Sequence, residues 1–113
     1  MIVEPQTVDI KFTGKPRRFV FVLMEQFTML CFASAIESLR IANRTAGKKL
    51  YSWSIIGEGG ENATCSNGCT FHLDSDFVEL ERDDTIMLCG GIGIQQATNK
   101  KVLNWTRREA RRG

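Results

Sequence analysis

The chain has 113 residues, 42% of them hydrophobic and 25% charged, with a formal net charge of +2. That length holds one domain at most, and the composition supplies a packed core and excludes a disordered or collagen-like chain. The small net charge implies no polyanion partner, no apolar run approaches the ~18–20 residues that span a bilayer, and no secretory pattern opens the chain, so no membrane association and a cytoplasmic location are expected.

Residues 1–17 are polar, contain both prolines (Pro5 and Pro16) and show no sustained periodicity; a flexible leader is expected there, with the domain proper over 18–113. Arg18–Met24 follows as an unalternating run of β-branched and aromatic residues, the pattern of a parallel strand covered on both faces. Glu25-Gln26-Phe27 is its exit loop. Thr28 can N-cap a helix over residues 28–46, in which Met29, Phe32, Ala33, Ile36, Leu39 and Ala42 recur at steps of three and four and Gly47 supplies the stop. Glu37 and Arg40 are spaced to pair on its surface.

Tyr51–Ile56 alternates and then turns apolar, as expected of a strand nearer an edge. Strand, helix and strand at this spacing form a βαβ unit with a right-handed crossover. Gly57–Gly60 is a loop, residues 64–73 can form a short strand or a hairpin around Ser66-Asn67-Gly68, and 74–84 is acidic and loop-like, with room for one helical turn. Thr85–Cys89 is a second short apolar strand, expected to be buried, that ends in Gly90-Gly91-Ile92-Gly93. Thr98 or Asn99 can cap a closing helix to about Arg111, with Val102, Leu103, Thr106 and Ala110 expected inward. Lys100, Lys101, Arg107, Arg108, Arg111 and Arg112 crowd this segment and read as a solvated face, with nucleic-acid contact as the alternative.

In open parallel sheets, ligands bind beyond the carboxyl ends of the strands. Two loops qualify here: Glu25–Thr28 and Gly90–Gly93. Glycines allow close backbone approach, so the second loop can be a ligand cradle or only a tight turn. It lacks the third glycine of a dinucleotide fingerprint and follows a late strand, so no nicotinamide site is expected. The four cysteines are Cys31, Cys65, Cys69 and Cys89, with a single histidine, His72. Cys65 and Cys69 are four apart, unlike a C-x-x-C pair, and one histidine offers little for a metal site, so neither metal nor cofactor is expected. Cys31 and Cys89 read as small buried hydrophobes. The residues by themselves assemble no catalytic set.

The run Phe27–Arg44 (FTMLCFASAIESLRIANR), with Leu50-Tyr51-x-Trp53, Ser66-Asn67-Gly68 and Leu88-Cys89-Gly90-Gly91, resembles the N-terminal domain of GlxA-type AraC-family transcriptional regulators. That domain is similar to the PfpI protease and class I glutamine amidotransferase superfamily. The resemblance implies an α/β, flavodoxin-like (Rossmann-like) parallel sheet with flanking helices, incomplete in this chain. In catalytic relatives an acidic residue near the start of the first helix supports a cysteine on a later elbow. That acid matches Cys31 here, Gly90 and Gly91 match the glycines of an oxyanion pocket, and the elbow and the DNA-binding helix-turn-helix would lie past Gly113.

The resemblance therefore implies an effector-sensing part of a regulator that is not an enzyme and binds a small metabolite of amino-acid or quaternary-ammonium type. The candidate ligand residues are Glu25, Phe27, Cys31, Gly90, Gly91 and Gly93. DNA would be contacted only through the missing C-terminal domain, and self-association, such as a homodimer, is expected because the incomplete sheet exposes apolar surface. The alternative is a fragment of a PfpI-like cysteine hydrolase or amidotransferase, which requires a downstream elbow cysteine and histidine. A receiver-like domain needs an acidic Mg²⁺ cluster at early strand ends, where only Glu25 stands.

Overall fold

The structure is a computed structural model that describes residues 15–90 and 100–112. Most of the expected leader, with Gly91 and Gly93, lies outside the described residues. The elements in chain order are β1 (Arg17–Leu23), α1 (Met29–Ala46), β2 (Tyr51–Ile56), β3 (Asn62–Thr64), β4 (Thr70–His72), β5 (Thr85–Cys89) and α2 (Lys100–Arg112). β1, β2 and β5 form one parallel sheet in the order β2-β1-β5, and β3 and β4 form a separate antiparallel hairpin.

β1 is the central strand, which explains its unalternating apolar run. Phe19, Phe21 and Leu23 face one side of the sheet and Val20 and Val22 the other, and both sides are covered. On the first side Phe21 and Leu23 pack with Phe27 and Phe32, the hairpin residues Ala63 and Cys65, and Cys89; Met29, Ile36 and Leu39 of α1 lie against them. Four edge-to-face ring contacts organise this layer, among them Phe21 with Phe32 at 5.4 Å and Phe27 with Phe71 at 5.6 Å. Such contacts contribute about 0.5–1.5 kcal/mol each beyond their burial. On the other side Val20, Val22 and Ile56 meet Leu80 and Trp105. The sheet is thus sandwiched between α1 with the hairpin and α2 with the 77–80 segment.

Several boundaries and faces depart from the sequence expectations. β1 begins at Arg17, one residue inside the expected leader, because the Arg17 N–H donates to the Leu50 carbonyl at 3.0 Å and so enters the ladder. Thr28 sits at the N-cap with extended backbone but makes no side-chain cap bond, whereas Gly47 ends α1 in the left-handed region at φ 65° as expected. α2 buries Val102, Trp105 and Glu109, while Leu103 is 41% exposed and Ala110 is also exposed. Steps of three and four define this helix face, and its anchor is Trp105, whose ring stacks on Phe77 and whose Nε1–H donates to the Val78 carbonyl at 2.8 Å. Lys101, Arg107, Arg108 and Arg111 are exposed, as the solvated-face reading requires.

β5 is less buried than its composition suggested. Leu88 is 49% exposed, because β5 pairs only with β1 among the described residues and so forms one edge of the sheet. The β2 edge is treated differently. The Asp74 N–H donates to the Ile55 carbonyl at 2.6 Å, the Ile55 N–H donates to Asp74 Oδ2 at 2.7 Å, and Ile56 bridges Ser75. The acidic 74–84 segment thereby shields that edge without forming a helical turn.

Candidate functional site

The chain runs from β1 through α1 to β2 on one side, then crosses to place β5 on the other side of β1. The carboxyl ends of β1 and β5 therefore lie side by side where the chain switches direction, the kind of point at which α/β sheets bind ligands. The loop after β1 is a tight turn. The Met24 N–H donates to the Cys89 carbonyl at 3.1 Å, the Phe27 N–H to the Met24 carbonyl at 3.0 Å, and the Thr28 N–H to the Gly90 carbonyl at 3.0 Å. Gln26 occupies the left-handed region at φ 66°, a conformation that bulky residues seldom adopt.

The hairpin β3–β4 holds this turn from outside. The Gln26 N–H donates to the Thr64 carbonyl at 2.8 Å, the Ser66 N–H to the Phe27 carbonyl at 2.9 Å, and the Thr64 N–H to Glu25 Oε1 at 3.3 Å. Asn67, at the hairpin tip, accepts from the Cys69 N–H at 3.0 Å and reaches Met29 Sδ with its amide. The hairpin's part in the site was not legible from spacing, because it rests on pairing between residues about forty apart with no shared motif.

Glu25, Phe27, Cys31 and Gly90 all belong to this end of the sheet. Glu25 and Cys31 are exposed, and Gly90 is half-buried with its carbonyl already engaged by Thr28. Phe27 is different: it is completely buried and packs edge-on against Phe32 and Phe71, so its ring supports the turn from the core. Cys31 departs from the buried position expected of it, because residue 31 faces outward from the first turn of α1. Cys89 is buried as expected; burial pushes its thiol up to about 11, and the nearby Cys31 thiol adds to the shift. His72 lies exposed on β4. Among the described residues no group of three or more His, Cys, Asp or Glu side chains could hold a metal ion.

A parallel sheet in this order with a helix on each face defines a flavodoxin-like α/β arrangement. No family model matches the chain. Over 98 residues it is 32% identical to the HTH-type transcriptional regulator GbdR of Pseudomonas aeruginosa, covering 87% of this chain and 27% of that protein. It is 30% identical over 95 residues to the regulator CdhR of the same species (84% and 28%) and 33% identical over 75 residues to the regulator GlxA of Rhizobium meliloti (66% and 23%). Among solved structures it is similar to an AraC family transcriptional regulator from Pseudomonas putida, with a TM-score of 0.68 at 22% identity over 87% of this chain and 52% of that one. It is also similar to a DJ-1 superfamily protein from Agrobacterium tumefaciens, with a TM-score of 0.59 at 18% identity over 84% and 48%.

The curated relatives this chain matches are HTH-type transcriptional regulators, and its fold is shared with an AraC family regulator and a DJ-1 superfamily protein. It spans about a quarter of the length of the curated relatives it matches.

Proposed function

We propose that this chain is part of the effector-sensing domain of a transcriptional regulator. It takes a small metabolite at the carboxyl ends of β1 and β5, and DNA is bound elsewhere in the parent, by a C-terminal helix-turn-helix domain. The observation that carries the reading is the β1–α1 turn. It stands at the switch point and is fixed from three directions, by β5, by the hairpin and by Phe27 in the core. A preformed turn of this kind orients a ligand at little entropic cost.

Glu25 supplies an exposed carboxylate beside this turn, suited to the cationic head of an amino acid or a quaternary-ammonium compound. Cys31 lines the same mouth from α1. Phe27 positions the turn rather than touching the ligand, and Gly90 stands across from it at the end of β5. The non-catalytic role is supported by Cys31, which stands where the resemblance places an acid and cannot replace a carboxylate. Cys89, the other thiol here, is held protonated at neutral pH.

The test is a calorimetric titration of the chain with amino acids and quaternary-ammonium compounds, repeated with Glu25→Gln. Glutamine keeps the carbonyl that accepts from Thr64 and removes only the charge. A loss of affinity of about tenfold or more for cationic compounds, with unchanged thermal stability, supports the site. Equal affinity in both proteins removes Glu25 from it.

A further inference from the structure

We propose that Cys65 and Cys69 are a reversible dithiol–disulfide pair, oxidised by glutathione disulfide, at the tip of the hairpin that braces the β1–α1 turn. The inference rests on strand register and stands whether or not a metabolite binds at that turn.

The hairpin pairs Asn62 with His72, Ala63 with Phe71 and Thr64 with Thr70. The next step of this ladder sets Cys65 opposite Cys69, and the Cys65 N–H donates to the Cys69 carbonyl at 2.9 Å. The intervening residues close as a turn, with the Gly68 N–H donating to the Cys65 carbonyl at 3.0 Å and Gly68 in the left-handed region at φ 93°. Successive side chains on a strand alternate faces. Thr64 and Thr70 share the outer face, their hydroxyl oxygens 3.3 Å apart. Ala63 and Phe71 share the inner face and join the core with Cys65, and strand alternation carries Cys69 to the same side at the exposed tip.

Hydrogen-bonded opposed residues in an antiparallel ladder have Cα atoms about 5.5 Å apart, inside the range of about 4.4–6.8 Å that a disulfide requires. Closure joins the buried Cys65 sulfur to the exposed Cys69 sulfur across the hairpin tip.

Accessibility sets the order of events. Cys69 is exposed, while Cys65 is 1% exposed and donates its S–H to Asn67 Oδ1. The Cys69 thiolate attacks one sulfur of glutathione disulfide, forming a mixed disulfide and expelling one glutathione thiolate. The Cys65 thiolate then attacks Cys69 Sγ, forming the Cys65–Cys69 bond and expelling the second glutathione. The protein loses two electrons and two thiol protons, and one glutathione disulfide becomes two glutathione thiols. Cys65 Sγ gives up its bond to Asn67 in the exchange, and the closed ring locks the hairpin tip onto Phe27, whose carbonyl accepts from the Ser66 N–H.

The test is equilibration of the chain in glutathione buffers of rising oxidised-to-reduced ratio, followed by acid quench, alkylation and non-reducing tryptic mapping. Cys65 and Cys69 fall on one tryptic peptide, Leu50–Arg82, which lacks Cys31 and Cys89. The expected result is that this peptide loses about 2 Da, escapes alkylation and regains both on reduction. The exposed-site variant Cys69→Ser should abolish the loss and leave Cys65 free of glutathione. A lasting glutathione adduct on Cys69 in the unaltered chain, a bond involving Cys31 or Cys89, or intermolecular disulfides as the main product would overturn the proposal.

Discussion

Single residues tie this fold together at points that composition does not reveal. Asn43 is one. Its Oδ1 accepts from the Leu50 and Tyr51 N–H groups and its Nδ2 donates to the Tyr51 carbonyl, each at 2.9 Å, so one amide fastens the end of α1 to the start of β2. Asn43→Ala leaves those backbone groups part-buried without that partner. The expected loss is about 2–3 kcal/mol, read as a lowered urea midpoint. The cysteines divide by burial. Cys31 and Cys69 should be alkylated in the native protein, and Cys65 and Cys89 only on unfolding, in a thiol-labelling time course under reducing conditions.

Cys89 also gives a pH dependence. Its folded thiol titrates near 11 against an ordinary value of 9.0, so the unfolded chain loses that proton first as pH rises. This contribution to stability is intact below pH ~9 and is lost progressively between about 9 and 11. Replacing Cys89 with Ala should flatten that part of the stability profile, as followed by denaturant titration at stepped pH. An unchanged alkaline slope would reject this account of the thiol.

At the scale of elements, sequence pattern revealed what local periodicity encodes. β5 ends where its apolar run ends, α1 stops at Gly47, and Ser66-Asn67-Gly68 makes the hairpin turn. Each rests on a short-range cause: a glycine conformation, a strand-length apolar run, a turn tripeptide. The errors fall where a partner distant in sequence decides the outcome. Leu103 was expected inward, but the surface facing α2 is shaped by Phe77 and Leu80, which receive Trp105. Leu88 was expected to be buried, and the absence of a described strand beyond β5 leaves it half exposed.

The candidate site follows the same division. The turn after β1 was legible from the end of its apolar run. The burial of Phe27, the exposure of Cys31 and the bracing hairpin depend on tertiary pairing. Trp105→Ala should cost about 3–5 kcal/mol, whereas Leu103→Ala should stay within about 0.5 kcal/mol. Chemical denaturation of the two variants side by side separates these faces of α2.

At the scale of the molecule, the described sheet has one shielded edge and one open edge. Asp74 and Ser75 cover β2, while β5 pairs on its other side with no strand among the described residues, and Leu88 is half exposed there. Open edges of this kind pair with further strands. The chain by itself should therefore self-associate, and Leu88→Lys should shift it toward monomer in light scattering across a concentration series. A chain that is monomeric at every concentration with or without the substitution would contradict that expectation. The curated relatives are several times longer than this chain.

The central claim is that a small metabolite is read at the β1–α1 turn rather than chemically transformed there. Amide NMR spectra of the isotopically labelled chain test it most directly, recorded while candidate amino acids and quaternary-ammonium compounds are titrated in. The account predicts saturable shifts concentrated at Glu25–Cys31, Thr64–Asn67 and Gly90, with the added compound recovered intact. Shifts confined to another surface, or conversion of the compound, would contradict it.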